Sequence, residues 1–154
     1  MKTILTIIVS AMIIGCAGMR QALPGEMLTE KISEVPGTKL EIYSRALQWV
    51  YSSFNSGKSV LEMQDSALGV ITGNAVATVY MSSCLQNGMV QYSFKIDVKD
   101  GKIRFTANNY RKADAADNNP DCYTTKATAD AMAAQIAATD SSLVRFVSTA
   151  PKAW

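Results

Sequence analysis

Few residues in this 154-residue chain could carry chemistry, and an absence narrows the field first: there is no histidine. Ser-His-Asp and Cys-His catalysis, His-ligated zinc and the usual neutral-pH general base are excluded together. Carboxylates remain. Glu62 with Asp65 or Asp97 could in principle form the acid pair of a glycoside hydrolase, but these positions fall in exposed strand or turn segments, and Asp97 is expected to face Arg104. Asp114, Asp117 and Asp121, with Asn118 and Asn119 among them, offer oxygen ligands for calcium. Their spacing fits no calcium loop, and Asp/Asn-rich turns arise for conformational reasons alone. Gly57-Lys58-Ser59 has the ending of a phosphate-binding loop, yet Ser52 stands where the first glycine belongs, and the flanking order is helix then strand. Cys84 and Cys122 are too few for a structural zinc site. The expectation is therefore no catalytic residue, no metal and no cofactor.

The third cysteine belongs to a different pattern. A single Lys2 precedes an apolar, small-residue run from Ile4 to Gly15, the order of a secretory leader. A spanning helix needs about 20 apolar residues, and Arg20-Gln21 arrives too early for one. The end of the run, Ile13-Ile14-Gly15-Cys16, resembles the bacterial lipoprotein signal, although Ile14 stands where that signal usually has Ala or Ser. The resemblance implies cleavage after Gly15 and acylation of Cys16, and Ala17 in place of Asp implies the outer membrane of a Gram-negative envelope. Removing residues 1–15 leaves roughly 139, enough for one domain with a real core and too few for two. With Lys2 gone the remaining charge is close to neutral, and no basic stripe marks a nucleic-acid binder.

Residues 16–26 read as a lipidated tether, and 27–150 as a single domain. Met27 to Val35 roughly alternates and predicts a strand ending at Pro36-Gly37. Thr38 with Glu41 predicts a capping box, opening a helix whose stripe is Leu40, Tyr43, Ala46, Leu47, Val50 and Phe54 and whose end lies near Asn55-Ser56-Gly57. Four strands follow. The first runs from Ser59 to Gln64 and the second from Val70 to Met81, with Ile71, Gly73, Ala75, Ala77 and Val79 on one face. A hairpin then spans Met89 to Tyr110 about a type I′ turn at Asp100-Gly101. Its two-residue loop sets Val98 against Ile103, Ile96 against Phe105, Phe94 against Ala107, Asp97 against Arg104 and Lys95 against Thr106. After a polar loop, Thr125 to Ala138 predicts a second helix, and Asp140, falling on that helix's apolar stripe, predicts the N-cap of a separate short one.

In such a meander the loop at 82–88 and the chain after Tyr110 share one end of the sheet. With Cys16 consumed by lipid in an oxidising compartment, Cys84 and Cys122 are left to form a disulfide. The stretches Ala46-Leu47-Gln48-Trp49-Val50, Lys58-Ser59-Val60, Gln64-Asp65 and Gly69-Val70-Ile71 with Phe54 and Gly73 resemble a bacterial envelope family, a domain of unknown function with a TATA-binding-protein-like fold. The resemblance covers roughly residues 27–148 and implies an α+β, two-layer sandwich with an antiparallel sheet of about five strands and helices on one face. It carries over no catalytic residue, and a fold name does not imply DNA binding. The other sheet face is then polar, and Tyr80, Lys95, Arg104, Asn108 and Tyr110 are its candidate binding residues. The expectation is a monomeric, non-catalytic envelope lipoprotein, held to the membrane through Cys16 and docking an envelope protein or glycan. The alternatives are a carboxylate-dependent hydrolase of envelope polymers and an inhibitor of lysozyme-like enzymes.

Overall fold

The structure is a computed structural model that describes residues 20–54, 60–113 and 120–149. Five strands form one antiparallel sheet in the order β1-β5-β4-β3-β2, with β1 Thr29–Glu34, β2 Leu61–Asp65, β3 Val70–Met81, β4 Gln86–Lys99 and β5 Lys102–Lys112. Two helices, α1 Lys39–Ser53 and α2 Lys126–Ser148, cover one face. The chain is thus an α+β two-layer sandwich.

Local chemistry accounts for most of these elements. At the start of α1 the Thr38 hydroxyl accepts from the Glu41 amide, and Glu41 Oε2 accepts from the Thr38 amide at 2.8 Å, which closes the capping box. The hairpin pairs as its loop length demands, with Val98 opposite Ile103, Ile96 opposite Phe105, Phe94 opposite Ala107 and Asp97 opposite Arg104. Its turn is not type I′, because only Gly101 has a positive φ, of 70°. Asp100 instead uses its carboxylate to accept from the Lys39 amide at 2.6 Å, and the Gly101 amide donates to the Gly37 carbonyl at 3.0 Å. The turn is thus bonded to the β1–α1 junction, and those bonds set its shape.

The core lies between the helices and the inner sheet face. Ile42, Tyr43, Ala46, Trp49 and Val50 of α1 are buried, whereas Leu40 points to water, so the buried stripe is rotated from the expected one. An aromatic row crosses the core: Phe105 stacks on Phe94 at 6.1 Å, Phe94 on Phe54 at 5.7 Å, and Trp49 meets Phe54 edge-on at 5.8 Å. Gly73 leaves room for its neighbours in the sheet, since a Cβ there would strike the Val60 carbonyl and come within 2.8 Å of the Phe94 ring.

Two expectations fail in this layer. α2 is one continuous helix, and Asp140 lies inside it rather than capping a new one. The Asp140 side chain is 1% exposed, and Lys31 of β1 brings its Nζ to 3.1 Å from Oδ2. Among the described residues neither carboxylate oxygen has a hydrogen bond of good geometry, so Lys31 supplies charge more than an aligned N–H. Tyr110 also turns inward. Asn109 adopts φ 56°, the register slips between Gln91 and Ser93, and the extra residue of this bulge sends Tyr110 to the helix side. There its hydroxyl lies 2.9 Å from Thr29 Oγ1.

Cys84 and Cys122 are joined in a disulfide with Cα atoms 6.0 Å apart, at the end of the sheet opposite Asp100-Gly101. Residues 20–26, read from sequence as tether, are docked at this same end. The Ala22 amide donates to the Thr124 carbonyl at 2.7 Å, and the Lys126 amide donates to the Arg20 carbonyl at 2.9 Å. Arg20 forms a two-pronged pair with Glu26, at 2.9 and 2.6 Å. That bond, with a second from the Leu23 amide, lowers the Glu26 carboxyl to about 2. Cys16 and Gly57-Lys58-Ser59 lie outside the described residues, as do Asp114, Asp117, Asn118 and Asn119 of the calcium candidate.

Candidate functional site

Strand alternation builds the open face of the sheet. In β3 the residues between Ile71, Gly73, Ala75, Ala77 and Val79 point away from the helices; in β4 the outward set is Gln91, Ser93, Lys95 and Asp97. On β5 Arg104, Thr106 and Asn108 join them, while the bulge substitutes Asn109 for the expected Tyr110.

A charged chain crosses three strands near the Asp100-Gly101 end. Asp97 accepts from Arg104 Nε at 3.1 Å and Nη2 at 2.9 Å, and its other oxygen is 2.8 Å from Lys95 Nζ. Arg104 Nη1 extends the chain to Glu30 of β1 at 3.8 Å. Partial burial pushes the Asp97 carboxyl up, but the hydrogen bonds from Lys95 and Arg104 outweigh it and hold the group below the usual range. Beside this chain lies a depression of about 180 Å³ lined by Ile32, Asp97, Lys99, Lys102, Ile103 and Arg104, in which Ile32 is an exposed apolar wall. A hydrogen-bonded chain runs across the middle of the sheet from Glu62 of β2. Asn74 donates to Glu62 and accepts from the Ser93 hydroxyl at 2.8 Å, and that hydroxyl accepts from Asn109 at 3.3 Å.

Toward the disulfide end the face becomes apolar. Tyr80 is 55% exposed and Val76 53%, and Met89 lies exposed across from Thr78 between them. Arg111 donates to Gln91 at 3.2 Å along their edge. The face therefore offers Tyr80, Met89 and Arg111, types that interface centres favour, with Val76 at one end, and Ile32 beside fixed charges at the other.

Four of the five residues expected on this face are on it. Lys95 and Arg104 meet through Asp97, Asn108 lies opposite Ser93, and Tyr80 stands apart at the disulfide end. Tyr110 is withdrawn, and burial raises its phenol. Val76, Met89, Ile32 and Asn109 went unread. Val76 and Met89 carried a signal, being apolar at outward positions of their strands. Ile32 faces outward only because Lys31 faces in. The carboxylates weighed for hydrolysis are dispersed: Glu62 takes the Asn74 amide, Asp65 takes the Leu68 amide at 2.7 Å, and Asp97 is held between cations.

A second depression, of about 540 Å³, lies between the end of α1, the middle of α2 and the edge of β3. It is lined by Trp49, Phe54, Tyr92, Gln135, Thr139 and Ser142 among others, and among the described residues no charged side chain lines it. Trp49 Nε1 donates to Ser142 Oγ at 3.2 Å. Burial pushes the Tyr92 phenol up to about 12. Among the described residues no group of three or more Cys, Asp or Glu is placed to hold a metal ion, and no helix is long and apolar enough to cross a membrane.

Comparison with solved structures shows the same fold. A TBP-like protein from Parabacteroides distasonis aligns with a TM-score of 0.63 over 88% of this chain and 99% of its own, at 15% identity. A DUF4468 family protein from Bacteroides ovatus aligns with a TM-score of 0.61 over 89% of this chain and 95% of its own, at 16% identity. No curated protein matches the chain. Residues 30–112, more than half of the sequence, match a single family, and the chain belongs to it: the domain of unknown function (DUF4468) with TBP-like fold.

Proposed function

We propose that this protein is a non-catalytic binding module of a bacterial envelope, anchored through acylated Cys16 and docking a periplasm-facing protein or glycan on its open sheet face. The observation that carries the reading is that face itself. Tyr80, Val76, Met89 and Ile32 are exposed on a sheet where Asn74, Ser93, Asn109, Lys95, Asp97 and Arg104 are cross-linked by hydrogen bonds and ion pairs. Pre-ordered polar groups lose little entropy on docking, and exposed aromatic and aliphatic groups gain from desolvation. The dispersal of Glu62, Asp65 and Asp97, each with its own partner, supports a binding role over hydrolysis. The leader ending at Gly15-Cys16 supports the location.

The test is a combined Tyr80→Ala, Lys95→Ala, Arg104→Ala variant, cross-linked in the envelope beside the wild type. The expected result is loss of the wild-type partner from a variant that keeps a cooperative circular-dichroism melt above the assay temperature. Retention of every wild-type cross-link by the folded variant would refute the docking face.

A further inference from the structure

Leu85 is 80% exposed and adopts φ 52°, a left-handed conformation that a bulky side chain rarely takes and that glycine or asparagine would hold at lower cost. An apolar residue strained outward at a turn tip points to a function in what it touches. The turn is locked to the place where the anchoring chain enters the fold. Cys84 is bonded to Cys122, Ser83 Oγ lies 3.1 Å from Thr125 Oγ1, and Thr125 is bridged to Gln21. Leu23, next to that bridge, is exposed at the same end. The chain between Cys16 and Arg20 extends at most about 14 Å, so the leucines cannot stand far from an acylated Cys16.

We infer that the disulfide end of the molecule rests on the bilayer, with Leu85 and Leu23 entering the boundary between headgroups and acyl chains. This orientation rests on the proposed acylation of Cys16. The nearby cations Arg20 and Lys126 are each held by a carboxylate, Glu26 and Asp130, so the contact is apolar rather than electrostatic. The bilayer is favoured over a protein partner because a tether of at most about 14 Å holds this end to it. Docked this way, the Asp100-Gly101 end, with Lys95, Asp97 and Arg104 near it, faces away from the membrane and stays accessible, whereas Tyr80, paired with Asn87 beside the turn, stands close to the bilayer surface.

Leu68 provides an internal control, being 68% exposed in a turn at the opposite end, where the Gly69 carbonyl accepts from Val98. The full chain, extracted from membranes and reconstituted in phosphatidylethanolamine–phosphatidylglycerol vesicles, would carry a photoactivatable phenylalanine analogue at position 85 or position 68. Burial of one leucine-sized side chain biases a population by more than about tenfold, so lipid adducts at position 85 should exceed those at 68 by at least that factor. Amide exchange on the unsubstituted protein gives the same answer without the label: residues 82–86 should slow in vesicles relative to detergent, and residues 66–69 should not. Equal adduct yields together with unchanged exchange, on protein whose mass shows acylated Cys16, would overturn the orientation alone. An unacylated Cys16 would overturn the anchoring and the orientation with it.

Discussion

Lys31→Met should destabilise the fold by about 2 kcal/mol, whereas Asp140→Leu should cost little. The pair is asymmetric: the Asp140 carboxylate is 1% exposed on the buried stripe of α2, and the Lys31 side chain is 48% exposed at the inner edge of β1. Removing a partner from a fully buried pair costs about 3–5 kcal/mol and from an exposed pair about 0–1. With water reaching the lysine end, the loss of Lys31 falls between these limits. Removal of Asp140 leaves a lysine that can swing into solvent, and leucine is the better helix former and fills the stripe. Urea unfolding, followed by fluorescence of the buried Trp49 with the disulfide intact, gives the comparison. With a slope of about 2 kcal/mol/M the Lys31→Met midpoint should fall by about 1 M, and adding Asp140→Leu should restore it. Equal losses from the two single variants, or a double variant as unstable as their sum, would refute the picture of a buried carboxylate held by one lysine.

Three further outcomes follow from the geometry. Replacing both Cys84 and Cys122 by serine should cost about 4 kcal/mol, the loop-closure value for a separation of 38 residues, read as a drop in the urea midpoint. Gly73→Ala should cost about 1–3 kcal/mol, because the methyl group meets the Val60 carbonyl and the Phe94 ring; a thermal melt unchanged from wild type would contradict that close packing. The Tyr92 phenol is raised from 10.0 to about 12 by burial, so its contribution to stability is complete below pH 10 and is lost as pH rises toward 12. Tyr92→Phe should therefore flatten alkaline unfolding in that window, and an unchanged profile would contradict its assignment.

What the sequence made legible was local. The capping box of Thr38 and Glu41 and the two-residue loop at Asp100-Gly101 each act within a few residues, and both the start of α1 and the register of β4 with β5 follow from them. The errors came from distant partners. The expected stripe of α1 held at Tyr43, Ala46 and Val50, with Leu47 and Phe54 packed against the core, but contact with the sheet buried Ile42 and Trp49 and left Leu40 in water. Asp140 looked like a break because its partner Lys31 lies on the first strand of the fold. Alternation placed Tyr110 outward, and only the left-handed Asn109 explains its burial; the Asn108-Asn109 pair was the available hint. On the candidate site, Lys95 and Arg104 followed from the hairpin register, while the apolar end formed by Val76, Met89 and Tyr80 needed β3 and β4 paired over their full length.

The central claim is that acyl chains replace the leader and that the remaining chain folds, disulfide-bonded, outside the cytoplasm. Intact-mass analysis of membrane-extracted protein, with and without reductant, tests it most directly. The account predicts a chain beginning at Cys16, heavier by a diacylglycerol and one further acyl group, that gains two hydrogens on reduction. A soluble precursor that still carries residues 1–15, with Cys16, Cys84 and Cys122 all as unmodified thiols, would contradict it.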